Sequence, residues 1–315
     1  MATNQDAEAT VMSDDASASL PPMGFKVIVK EFAKDKLALA SLILMVAILV
    51  TVYVVALLLD QDVVTTVSLF DSYLPPMSMS TDPFFEGTQY LLGTDSAGRD
   101  VFGLLIIGAR NSLSIGLAVT VITSILGVLI GILAAYYAGL VDNIIMRIID
   151  FIMILPQLMI IIIFVTLVPN YGVAAFILIM SAFLWVGQAR FIRGRALTVG
   201  KLDFISASKT MGTPTLLIIL REMMPNISSL IIVNLTLNFA GNIGLETGLS
   251  FLGFGLPPNV PSLGSLVSTA QNPDVLGNKG WVWLPASILI LVLVLCINYV
   301  GRALQRAADS KQRLG

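Results

Sequence analysis

The chain has 315 residues, of which 56% are hydrophobic and only 12% charged, about half the charged share of an ordinary soluble domain. Its formal net charge is -2, so no basic balance argues for a nucleic-acid partner. It contains no histidine and a single cysteine, Cys296, which excludes histidine-based acid–base chemistry, histidine metal sites and a disulfide framework.

Residues 1–23 are polar, acidic and rich in Ala, Ser and Asp, a composition that cannot bury enough apolar surface to fold; a disordered tail is expected. Residues 24–36 place Phe25, Ile28, Val29 and Phe32 on one helical face and Lys26, Lys30 and Lys34 on the other, the pattern of a helix lying in a membrane interface. The first apolar run, 37–59, is long enough to span a bilayer and has no small-residue cleavage site behind it, so it is expected to stay attached. A connection at 60–110 follows.

A helix needs about 20 apolar residues to cross the hydrocarbon core, so charge-free intervals mark the remaining crossings. The second fits between Arg110 and Asp142. The interval from Asp150 to Arg190 is too long for one helix, and 169-PNYG-172 divides it into a third and a fourth. A fifth fits between Glu222 and Glu246, and a sixth between Lys279 and Arg302. The expected fold is an all-α membrane protein of six transmembrane helices, with crossings two to six, a long connection at 190–226 and a short tail making up 111–315.

Lysine and arginine set the orientation, because cytoplasmic loops are enriched in them. Lys26, Lys30, Lys34 and Lys36 precede the first helix; Arg190, Arg193, Arg195, Lys201, Lys209 and Arg221 fill the fourth connection; Arg302, Arg306, Lys311 and Arg313 follow the last helix. A six-helix weave puts all three groups on one side, so both termini are expected in the cytoplasm and 60–110 outside.

Within that outer connection, 92-LGTDSAGRD-100 has the glycine spacing of a phosphate-binding loop. Asp100 stands where such a loop needs a Ser or Thr, Asp95 adds a second carboxylate, and the segment faces away from cytoplasmic ATP. Gly93, Asp95, Gly98, Arg99 and Asp100 instead suit a compact turn in which Asp95, Ser96 or Asp100 caps the second helix. In that helix Gly127, Gly131, Ala135 and Gly139 recur every four residues, a face that admits a close neighbour. Arg147 and Asp150, three apart, are expected to pair on one face of helix three. The connection 203-DFISASKTMGTPTLLIILREMMPN-226 reads as a short helix, a turn at Gly212, and a second helix over Leu216 to Met223 before Pro225 and the fifth crossing. In the fifth crossing Asn234, Asn238, Asn242 and Glu246 form one polar stripe, which suits either interhelical hydrogen bonding or the lining of a pathway.

The 203–226 segment resembles the cytoplasmic loop of permease subunits of ATP-binding-cassette importers, with its Glu-Ala-Ala, three residues, Gly and a later Pro. The matching positions are Ser206, Ala207, Ser208, Gly212 and Pro225, with Ser206 in place of the glutamate. The segments 93-GTDSAGRDVFGLLIIGARNSLSIG-116, 142-DNIIMRIIDFIMILP-156 and 246-ETGLSFLGFGLPPNVPSLG-264 resemble the C-type permease of dipeptide and oligopeptide importers. The resemblance implies a type I permease fold and a channel shared with a B-type permease. It also implies two cytoplasmic ATPases that carry the ATP and Mg²⁺, an outer peptide-binding protein, and no catalytic site, metal or cofactor in this chain. Nickel or another small solute is the alternative cargo. A secondary transporter would need its own ion relay, and an intramembrane hydrolase a paired aspartate or a serine with a base; neither is apparent.

Overall fold

A computed structural model describes residues 29 and 31–308. The expected tail at 1–23, most of the amphipathic stretch with Phe25, Lys26, Ile28 and Lys30, and the terminal cations Lys311 and Arg313 lie outside the described residues. The long helices are α1 (Lys36–Leu58), α3 (Val101–Tyr137), α4 (Gly139–Ile154), α5 (Gln157–Leu167), α6 (Val173–Val199), α9 (Met224–Phe251) and α12 (Gly280–Ala308). Short helices α2 (Gln61–Thr65), α7 (Asp203–Thr210), α8 (Thr215–Ile218), α10 (Leu263–Ser268) and α11 (Pro273–Asn278) lie in the connections. A two-stranded antiparallel ribbon, β1 (Ser78–Met79) and β2 (Gln89–Tyr90), pairs Ser78 with Tyr90. Among the described residues 5 helices are long and apolar enough to span a membrane, and the bent pair α4 and α5 makes a sixth.

That bent pair corrects the expected third crossing. The span begins at Gly139 rather than near Asp150, and its halves meet at 84°. Pro156 has no N–H and pushes Leu155 out of helical geometry (φ -73°, ψ 136°), which breaks the helix there. Helix α3 also begins earlier than the 60–110 boundary implies. Asp100 caps it by accepting from Phe102 N (3.1 Å) and Gly103 N (3.0 Å), and Arg110 is carried inside the helix on Gln61 (3.1 Å) and Asn111. At 37 residues, α3 is about 55 Å long, so it outruns a hydrocarbon core of about 30 Å.

The connections sort to two ends of the bundle. At one end stand the 59–100 segment, the turn at 168–172 and the 252–279 connector, joined by Tyr171 to Gly255 O (2.5 Å) and by Asn111 to Pro261 O (2.8 Å). At the other stand the starts of α1 and α4 and the end of α12, with Arg306 on Asp35 at 2.6 Å, together with α7, whose Lys209 lies 4.5 Å above the Tyr136 ring. The described members of all three cation groups gather at this second end, as the weave requires.

Helix α3 is the axis against which α1, α6, α9 and α12 pack. The small-residue face meets α6: a Cβ at Gly127 would sit 2.5 Å from Gln188 Cγ, and one at Gly131 would sit 2.6 Å from the Ala189 carbonyl oxygen. Ala135 is buried on the same seam. Gly139 departs from it, because α3 stops at Tyr137 and Gly139 (φ +54°) turns the chain into α4 with no neighbour near its Cβ position.

Adding an isopropyl group at Gly131 must push α6 away, because its Cβ alone already meets the Ala189 carbonyl. Gly131→Val should lower stability by about 1–3 kcal/mol, read as a lower melting temperature in detergent, while Gly139→Ala should leave the α3/α6 packing intact.

Candidate functional site

Three regions carry the chemistry singled out in the sequence. In the first, the 92–100 turn, Asp95 is buried and fills the loop itself: Oδ1 accepts from Ala97 N (2.9 Å) and Arg99 N (3.0 Å), and Oδ2 binds the Arg99 guanidinium at 2.6 Å. The backbone N–H groups that an anion would need are thus held by the protein's own carboxylate. Gly93 (φ +76°) and Gly98 (φ +71°) adopt left-handed geometry, and a Cβ on either would collide with the carbonyls of Leu74 and Ser68. Of the three candidate caps, Asp100 is the one that caps α3.

The turn rests on a residue that sequence reasoning missed. Asp71 is fully buried and accepts from Ser80 Oγ (2.5 Å), Thr81 N (2.8 Å), Thr81 Oγ1 (2.8 Å) and Tyr90 OH (2.9 Å), while its carbonyl accepts from Thr94 Oγ1. Burial opposes the Asp71 charge, but the bonds from Ser80, Thr81 and Tyr90 outweigh it and hold the carboxyl below its ordinary value. Burial, with the Asp71 carboxylate beside it, pushes the Tyr90 phenol up to about 12. Trp281 Nε1 donates to Thr94 O (3.3 Å), which fixes the assembly to the start of α12.

The second region is the long connection. Ser206 and Ala207 are exposed on α7, whereas Ser208 is buried and donates to Glu222 Oε1 at 2.7 Å. Gly212 has φ +77° and open space around its Cβ position. The expected separate helix over 216–223 is instead the root of the fifth span. Helix α8 passes through a π-turn at Ile219–Met223 into α9, giving one span from Thr215 to Phe251. Pro225 lacks an N–H, and the widened turn, in which Met224 N donates to Ile219 O, carries the helix past it.

The third region is the stripe on α9. Asn238 Nδ2 donates to Asn234 Oδ1 (2.6 Å) and Gln188 Oε1 (2.5 Å); Asn242 Nδ2 donates to Thr120 Oγ1 (2.8 Å); Glu246 Oε1 accepts from Ser250 Oγ (2.8 Å). Asn234 and Asn238 are half-buried, Asn242 is buried and Glu246 has no exposed surface. Gln188, the partner on α6, was missed; a lone amide inside a charge-free run was its signal. The expected pair of Arg147 and Asp150 does not form. Asp150 binds Arg190 of α6, Asp142 takes Arg193 through both oxygens, and Arg147 is exposed. The bend at Pro156 lays α4 along α6, so those arginines are nearer than a same-helix partner.

Residues 127–314 match the family model described as binding-protein-dependent transport system inner membrane component. The chain is 47% identical over 283 residues to the oligopeptide transport system permease protein OppC of Lactococcus lactis subsp. cremoris (strain SK11), covering 90% of this chain and 93% of that one. It is 35% identical over 285 residues to the dipeptide transport system permease protein DppC of Bacillus subtilis (strain 168), covering 90% and 85%. Among solved structures it is similar in fold to a chain of the inward-facing MetNI methionine ABC transporter, with a TM-score of 0.51 and 19% identity over 66% of this chain and 97% of that one.

The Asp71 network predicts a window of stability for the 59–100 segment. A depressed carboxyl contributes fully above its ordinary value, about 4, and loses that contribution as pH falls through the lowered value. A raised phenol contributes fully below about 10 and loses it as pH rises toward about 12. Asp71→Asn should flatten the acid limb, and Tyr90→Phe should cost about 1–2 kcal/mol at neutral pH. Tryptophan fluorescence across pH, with Trp281 as the local reporter, checks both.

Proposed function

The chain belongs to the family of binding-protein-dependent transport system inner membrane components, and from that premise we propose that it is the C-type permease subunit of an ATP-driven importer of dipeptides or oligopeptides. It is a multi-pass membrane transport component rather than an enzyme. The observation that carries the cargo class is its likeness, along nearly the whole chain, to relatives named for oligopeptide and dipeptide transport.

In this reading a B-type permease completes the channel, two ATPases supply ATP and Mg²⁺ chemistry from the cytoplasm, and a peptide-binding protein delivers cargo. The cation-rich end faces the cytoplasm and the 59–100 end faces out, which the distribution of Lys and Arg supports. The exposed Ser206 and Ala207 face of α7 docks on an ATPase, with Ser206 offering a hydroxyl where the resemblance implies a glutamate. Motion of α7 reaches the channel through two joints, the bond from Ser208 to Glu222 and the unbroken helix from Thr215 to Phe251. The half-buried Asn234 and Asn238 line the pathway, and the buried Asn242 and Glu246 hold α9 in the bundle.

With Cys296 replaced by Ser, a cysteine at Thr88 should react with an impermeant thiol reagent in intact cells and one at Thr198 should not. The reverse pattern contradicts the orientation. Ala207→Arg should abolish ATP-dependent peptide uptake in proteoliposomes while the complex still assembles. Gly212→Val strains a left-handed residue by about 1–3 kcal/mol without a steric clash, so uptake should fall and ATP hydrolysis should lose its response to loaded binding protein. Normal uptake by both variants removes α7 from the ATPase contact.

A further inference from the structure

The 59–100 segment presents apolar side chains that its own fold leaves uncovered. Leu69 is 87%, Phe70 69% and Phe84 78% exposed. They belong to one surface, because Ser68 Oγ donates to Asp82 Oδ2 (2.7 Å), Thr81 Oγ1 donates to Phe70 O (3.4 Å), and Phe84 N donates to Asp82 Oδ1 (2.9 Å). The surface stands on a fixed base: Asp71, next to Phe70, is the fully buried acceptor of the network above. Large exposed apolar groups on a rigid polar scaffold mark an interaction site.

Lipid does not cover them. Ser68 N donates to Ala97 O (3.0 Å), and Gly98 lies against the Ser68 carbonyl, so this surface sits beyond the first residue of α3. Arg110, nine residues into that helix, meets Gln61 just past the end of α1, so the start of α3 stands about 14 Å beyond the level at which the first span ends. The segment also carries the exposed carboxylates Asp62 and Glu86, and its one cation, Arg99, is taken by Asp95. A surface of this kind fits a soluble protein that presents an apolar patch ringed by Lys or Arg, and it repels an anionic bilayer.

We propose that the Leu69, Phe70 and Phe84 surface is the seat on this subunit for the importer's soluble binding protein. The assignment rests on the reading above, in which a binding protein approaches from the 59–100 end. The apolar side chains supply the buried centre of the contact, and Glu86, two residues from Phe84, supplies an acidic rim that steers a basic partner and weakens with salt.

The test uses the assembled importer in nanodiscs and its own binding protein, with affinity measured by biolayer interferometry. The triple variant Leu69→Ser, Phe70→Ser, Phe84→Ser should bind at least about tenfold more weakly, with unchanged basal ATP hydrolysis and the second permease still present in the complex. Phe84→Ser alone should weaken binding in the same direction if the triple variant proves unstable. Glu86→Lys should slow association and reduce its salt dependence. Unchanged affinity in these variants overturns the surface while leaving the transport reading intact. Loss of the second permease from the triple variant also overturns it, assigning the patch to the contact between permeases. Absence of any binding to the unaltered importer contradicts the transport reading itself.

Discussion

In hydrocarbon a backbone N–H or C=O finds no water, so each helix must close its own hydrogen bonds and can break only where protein or solvent receives what is freed. That constraint decides the shape of this chain. Leu155 and Pro156 end α4, and the two halves of the span diverge by 84°. At Pro225 the same shortage of an N–H has a different outcome, because the π-turn at Ile219–Met223 keeps the bonding continuous. The connection that faces the ATPases in the proposed mechanism and the stripe of asparagines are consequently parts of one rod.

Side chains obey the same rule. Gly127 and Gly131 bring α3 against α6 closely enough to bury Gln188, which then meets Asn238 of α9. Asn242 finds Thr120, and the carboxylates of α4 find the arginines of α6. Each such bond between helices is worth only about 1 kcal/mol or less in a membrane, so these contacts set register and rotation more than they set stability. A rod whose rotation is fixed by a few weak polar contacts is suited to move between two seatings.

The spans were legible because the cost of charge in hydrocarbon is local, and a charge-free interval reports it directly. The turns at Gly93, Gly98 and Gly212 were legible for a related reason: left-handed backbone geometry belongs to a single residue. What was not legible depends on partners distant in sequence. Asp71 collects donors nine to nineteen residues away in a segment with no periodicity, and Asp150 chooses Arg190, forty residues on. The break at Pro156 was hidden because apolar runs flank it, 151-FIMIL-155 before and 158-LMIIIIFV-165 after, so composition alone does not separate a bent span from a straight one. The second spanning helix starts at Val101, ahead of the arginine at which its charge-free interval opens, because Gln61 gives Arg110 a partner inside the helix.

The central claim is that loop and stripe move as one body. Spin labels at Leu216 and Ile232 lie within the Thr215 to Phe251 helix, and a third at Leu178 lies on α6. Pulsed electron resonance on the assembled importer, with the labels introduced in pairs and with and without a non-hydrolysable ATP analogue, reads the three distances. The account predicts an unchanged separation between Leu216 and Ile232 and a shifted separation between Leu216 and Leu178. A change within the helix, with Ile232 stationary against Leu178, would place a hinge at the π-turn and contradict it.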